Sequence, residues 1–116
     1  MHFKLVVAIV EDADTDAIVR AARAAGATGA TVLNQARGEG YVSQKAYFGL
    51  DAGGGRDVVL LLVEEHLSRT ILEAVGAAGR FNSTPGAGIA FQVDVEDVIG
   101  GISQERLLQA RVEEEL

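Results

Sequence analysis

Two glycine-bearing stretches and two arginines are the parts of this chain whose types and spacing could do chemistry. Pro85-Gly86-Ala87-Gly88 stands directly before the apolar run Ile89–Val95, and Arg37-Gly38-Glu39-Gly40 directly after Ala30–Ala36. Glycine admits positive φ and close backbone approach, so successive N–H groups can converge on an anion. Arg37 and Arg56 flank the base of one long connection and would add charge-assisted hydrogen bonds to phosphate. The chemistry on offer is anion binding. A Gly-x-Gly also serves in a plain turn, so its meaning depends on what the fold brings beside it. A catalytic histidine needs an orienting partner, and neither His2 nor His66 stands in a motif that supplies one.

The bulk composition narrows the classes. A chain of 116 residues, 48% hydrophobic and 23% charged, reads as one globular domain over 1–116. Its net charge of -7 opposes general nucleic-acid binding, which needs a basic surface. An anionic ligand must therefore be held by a local site. With no cysteine there is neither a disulfide framework nor a thiolate metal site. No run approaches the ~20 apolar residues of a membrane helix, and the start of the chain lacks a signal peptide's cleavage region. A cytoplasmic location is the expectation.

The elements that must position these residues come from a duplication. Val10-Glu11-Asp12-Ala13-Asp14-Thr15, leading to Ala24-Ala25-Gly26, aligns without gaps with Val63-Glu64-Glu65-His66-Leu67-Ser68, leading to Ala77-Ala78-Gly79. Each copy runs apolar strand, acidic pair, hydroxyl residue, amphipathic helix, glycine. Carboxylates suit the positive end of a helix dipole, and glycine suits a left-handed helix end. Phe3–Val10 and Val58–Val63 are near-continuous apolar runs, as central strands require. Ala30–Ala36 and Ile89–Val95 alternate in part. The order is β-α-β-β-α-β, an α+β, ferredoxin-like plan with a four-stranded antiparallel sheet. In that plan the first and third strands are central. The Gly-x-Gly and the base of the long connection are expected at different ends of one sheet, so that a ring of subunits would have to join them. Two helices cover one sheet face; the other is also apolar, which predicts an oligomer. A short C-terminal helix is expected after Ser103.

Between the second and third strands lies a connection over roughly residues 38–55, far longer than the usual hairpin loop of about two to five residues. It carries Tyr41, Lys45, Tyr47, Phe48 and Leu50 and ends in Gly53-Gly54-Gly55. These side chains suit a segment read by a partner.

The whole arrangement resembles the P-II signal-transduction family over about residues 3–100. Thr31-Val32, Arg37-Gly38-Glu39-Gly40 and Gly86-Ala87-Gly88-Ile89-Ala90-Phe91 carry the resemblance. It implies a homotrimer that binds an adenine nucleotide (ADP, ATP or AMP) between subunits and regulates a partner, most often a membrane transporter, through the long T-loop. By position, the backbone N–H groups of Gly86, Ala87 and Gly88 would meet phosphates. Gly38 and Gly40 would lie at the T-loop base, with Arg37 beside them. Arg56 would contact phosphate, and Thr31 and Leu62 would border the adenine. Tyr41, Lys45, Tyr47 and Phe48 would face the partner. Ile89 stands in place of a family lysine, and Gly100 and Ile102 in place of two arginines. Gly40-Tyr41-Val42 replaces the Gly-Arg-Gln that meets 2-oxoglutarate. The resemblance is to a divergent PII-like protein, with bicarbonate and cyclic nucleotides still open as effectors. The rival readings are a CutA-type trimeric metal-tolerance protein and a small ferredoxin-like enzyme. Two histidines and one methionine give soft metals few ligands.

Overall fold

The structure is a computed structural model that describes residues 2–36, 46–47, 50–51 and 55–100. Its elements are β1 (Phe3–Glu11), a 3-10 turn (Asp12–Asp14), α1 (Thr15–Ala24), β2 (Thr31–Ala36), β3 (Ala46–Tyr47), β4 (Leu50–Asp51), β5 (Arg56–Glu64), α2 (Glu65–Gly79) and β6 (Gly88–Asp94). The main sheet has the order β2-β5-β1-β6, and all its pairings are antiparallel. The two apolar runs, β1 and β5, are the central strands, as the sequence predicts. The chain is thus an α+β, ferredoxin-like βαββαβ fold, with the small β3–β4 hairpin inserted in the long T-loop. The C-terminal helix expected after Ser103 lies outside the described residues.

Strand alternation divides the sheet's side chains between two faces. Val6, Ala8 and Val10 of β1 and Val59, Leu61 and Val63 of β5 form the core with Ile18 and Ala22 of α1 and Ile71 and Val75 of α2. Each helix contributes an i, i+4 pair to that core, the spacing that stacks side chains on one helical face. Fully burying a residue such as Ile18, Leu61 or Ile71 stabilises the fold by about 1.5–3 kcal/mol. Among the described residues no helix covers the opposite face. Leu33, Phe91 and Val93 are 51%, 39% and 43% exposed there. Leu5 and Val7 of β1 pair with Val93 and Phe91, and Ile9 with Ile89, continuing the apolar surface.

The two copies of the repeat start their helices differently. In the second, Glu64 caps α2 directly, its carboxylate accepting the His66 backbone N–H at 2.7 Å. In the first, the 3-10 turn intervenes and α1 begins only at Thr15. Gly26 has the expected positive φ of 123° beyond α1, but Gly79 does not end α2 as predicted. Arg80 takes that left-handed position, with φ 56° and ψ 38°. Its N–H bonds to the Ala77 carbonyl at 3.2 Å, and the Phe81 N–H bonds to that of Gly76 at 3.0 Å. This pair of bonds is the Schellman ending. Gly79 is glycine for another reason: a Cβ there would strike the Phe81 ring, lying 2.7 Å from both Cδ1 and Cζ.

Candidate ligand-binding site

The expectation that the Gly-x-Gly and the T-loop base lie at different ends of the sheet is wrong. Glu11 pairs with Arg56, Val10 pairs with Gly88, and Ala36 pairs with Arg56. All three joints sit where β1 ends. Antiparallel pairing forces this, because the end of β2 and the start of β5 must lie together, and β6 must start where β1 stops. What separates the two features is the width of the sheet, since β2 and β6 are its opposite edges.

Arg56 bridges that width from the centre. Its side chain is 5% exposed, and Nη2 donates to the Gly86 carbonyl at 3.1 Å. Glu11 lies 3.8 Å from Nη1, at ion-pair distance. Two further contacts fix the same root of β5. The Asp12 N–H donates to the Gly55 carbonyl at 3.2 Å, and the Thr15 hydroxyl donates to the buried Asp57 carboxylate at 2.7 Å. A Cβ on Gly55 would meet the Asp12 carboxylate, its carbon only 3.1 Å away, so a side chain there would make Asp12 turn aside.

Thr84-Pro85-Gly86-Ala87 forms a type II turn. The Ala87 N–H donates to the Thr84 carbonyl at 3.1 Å, Pro85 occupies the second position, and Gly86 in the third has φ 77°. The Ala87 N–H is therefore engaged inside the turn, which corrects the expectation that all three N–H groups are open to a phosphate. Gly88 belongs to the core's edge as much as to any ligand. A Cβ there would strike the Phe81 ring and lie 2.7 Å from the Ile9 carbonyl oxygen. Phe81 is thus wedged between Gly79 and Gly88.

Beside this turn, between α2 and the start of β6, opens a cavity of about 540 Å³. Gly88, Ile89 and Ala90 line it from the strand, Phe81 from the connecting turn, and Arg69 and Arg80 contribute cationic side chains. Sequence reading missed both arginines. The clue available was their placement in and just after the helix that leads to the Gly-x-Gly.

Thr31 and Leu62 lie on neighbouring strands. Thr31 pairs with Leu60, so alternation puts Thr31 and Leu62 on the same uncovered face. Thr31, on β2, is three strand spacings, about 14 Å, from β6, and Leu62, two spacings away, is level with Val93, five residues along β6 from Gly88. Within one chain these residues cannot share a small ligand with the Gly86–Gly88 turn. Of the remaining expected site residues, Arg37, Gly38, Gly40, Tyr41, Lys45 and Phe48 lie outside the described residues, and Tyr47 is in β3.

The acidic residues divide. Glu65, Glu96 and Asp97 are exposed, whereas Glu64 is half-buried, caps α2, and also contacts His66 Nδ1 through its carboxylate. Among the described residues no cluster of three or more His, Asp or Glu could hold a metal. No helix among them is long and apolar enough to cross a membrane.

The family model for nitrogen regulatory protein P-II matches residues 3–104. Among solved structures, the chain is similar to CPII of Thiomonas intermedia K12, which was determined bound to ADP, AMP and acetate. The identity is 21%, the TM-score 0.67, and the match covers 87% of this chain and 92% of that one. A Thermus thermophilus protein described as PII-like and signalling is 25% identical, with a TM-score of 0.60 over 82% of this chain and 87% of that one. No curated protein matches the sequence.

Proposed function

The chain belongs to the nitrogen regulatory protein P-II family, and from that premise we propose that it is a PII-like signal-transduction protein binding an adenine nucleotide between subunits of a homotrimer. The observation that carries this reading is the Gly86 turn, held by a buried arginine and followed by Gly88, which lines a cavity with two further arginines. ADP, ATP and AMP are the ligand candidates, and the similar CPII structure holds ADP and AMP.

Two features support the trimer. The uncovered apolar face needs a partner surface, and the adenine candidates Thr31 and Leu62 stand on the far side of the sheet from the Gly86–Gly88 turn. A second copy would present its own Thr31 and Leu62 to the turn. Gly86, Gly88 and Arg56 would then serve the phosphates, Arg56 by fixing the turn, with Arg37, Gly38 and Gly40 at the T-loop base. Ala87, whose N–H is engaged, would contribute shape alone. The T-loop, with Tyr41, Lys45, Tyr47 and Phe48, would be the surface read by a partner, a membrane transporter or another regulated protein. This function has no chemical step and needs no cofactor, and it suits a cytoplasmic protein.

Sedimentation equilibrium and thermal unfolding test the proposal together. The expected result is a trimer whose Tm rises with ADP, ATP or AMP, since a ligand that binds only the folded state stabilises it. A monomer of about 12.2 kDa, or a Tm indifferent to all three nucleotides, would overturn it.

A further inference from the structure

We infer that the cavity between α2 and β6 is a phosphate subsite and that Arg80 is the residue that gives it its charge. The inference rests on the nucleotide reading above and names the part of the site that takes a nucleotide's phosphates.

The first support is conformational. Arg80 sits in the left-handed region, at the position of a Schellman ending where glycine is the usual and least strained residue. The backbone there is fixed on both sides. Its N–H is bonded to Ala77, and its carbonyl accepts the Thr84 N–H at 3.0 Å and the Ser83 N–H at 3.3 Å. Nothing in this backbone arrangement calls for a side chain, and a long cationic one is present. A residue held in a sparsely populated region points to a use for its side chain.

The second support is electrostatic. Glu73, which lines the same cavity, is already paired, because Arg69 Nε donates to its Oε1 at 2.9 Å. Among the described residues no hydrogen bond or ion pair engages the Arg80 guanidinium. In a chain of net charge -7, the cavity therefore carries a local positive charge beside the Gly88 end of β6.

The third support is shape. Phe81, wedged against Gly79 and Gly88, gives the cavity an apolar wall that joins it to the Gly86 turn. Gly88, two residues after Gly86, lines the same cavity as Arg80. The planar fork of arginine suits a phosphate's paired oxygens.

Calorimetric titration of the full chain with ADP, adenosine and inorganic pyrophosphate tests this, comparing wild type with Arg80→Gln and Arg80→Gly. Arg80→Gln should weaken ADP by about tenfold or more, the worth of a charge-assisted contact, and leave adenosine within about twofold. Arg80→Gly should weaken ADP equally while raising Tm, because glycine relieves the left-handed backbone. That pair of opposite signs separates a ligand contact from a structural role. Unchanged ADP affinity in both variants, or equal loss of ADP and adenosine, would overturn the subsite and leave the nucleotide reading standing. Wild type that binds pyrophosphate through Arg80 but neither ADP nor adenosine would remove the nucleotide reading and keep the subsite.

Discussion

At the end of the sheet where β1 stops, Arg56 and Asp57 are 5% and 6% exposed and are tied to Gly86 and Thr15. At the opposite end Lys4 and Asp94, which face each other across two strands, form an ion pair at 2.6 Å, with the Asp94 side chain 85% exposed. Each end holds one basic and one acidic residue, yet their physical meaning differs. Water already stabilises the Lys4–Asp94 charges, so their attraction adds little. The Arg56 and Asp57 charges have lost water, so each depends on the group it bonds. Those groups belong to the turns that enter and leave the sheet. One end of the molecule is therefore built around fixed turns, and the other is only closed.

Removing Arg56 should show this contrast most strongly. Arg56→Ala leaves the Gly86 carbonyl without its donor and opens space in a buried site, and should lower stability by about 2–4 kcal/mol in urea unfolding. It should weaken ADP more than adenosine if the turn it holds takes the phosphates, as proposed. Equal loss for the two ligands would reduce Arg56 to a strut. Next in size is Gly88→Ala, whose Cβ meets Phe81 and the Ile9 carbonyl. Overpacking there should cost about 1–3 kcal/mol, so this variant reports packing before binding. Thr15→Val removes the hydroxyl that donates to the buried Asp57 carboxylate, an expected loss of about 1–2 kcal/mol. An unchanged unfolding midpoint would show that water replaces the hydroxyl and that this end is less closed than its burial indicates.

The smallest effect belongs to the exposed pair. The hydrogen bond from Lys4, and then its charge, hold the Asp94 carboxyl below its ordinary value of 3.8. The same hydrogen bond raises Lys4 above 10.5. The Asp94 contribution is complete above pH 3.8 and is lost as pH falls through the lowered folded value. The Lys4 contribution is complete below pH 10.5 and is lost as pH rises through the raised one. Asp94→Asn should therefore change Tm at pH 7 less than any substitution above. Carboxyl carbon shifts followed by NMR should give an Asp94 midpoint under 3.8, and an ordinary midpoint would mean that the pair does not persist in solution.

The same contrast explains what the sequence could show. The unbroken apolar runs of β1 and β5 identify the two central strands, and the acidic pairs after them identify two helix starts. Both signals are local, carried by neighbouring residues. The contact between Arg56 and Gly86 joins residues 30 positions apart, and no local pattern announces it. The end of α2 misled for a related reason. Glycine at position 79 suggests a left-handed ending, but the requirement there comes from the Phe81 ring folding back. The bulge in β2 between Leu33 and Ala36, with Gln35 at φ 61°, had no marker either, because glutamine gives no hint of positive φ. Of the candidate site, the Gly86–Gly88 turn and Arg56 were legible by type. Their meeting, and the arginines at 69 and 80, required the fold.

The central claim is that the Gly86 turn is the place where an adenine nucleotide binds. Isothermal titration of ADP into the full chain, wild type against Gly86→Val, tests it most directly. Gly86 has φ 77°, a conformation a β-branched residue resists, so valine should displace the turn while the core, built from other residues, stays folded. The account predicts saturable binding of one ADP per chain in the wild type and none in Gly86→Val. Equal affinity in the two proteins, with both folded by circular dichroism, would contradict it.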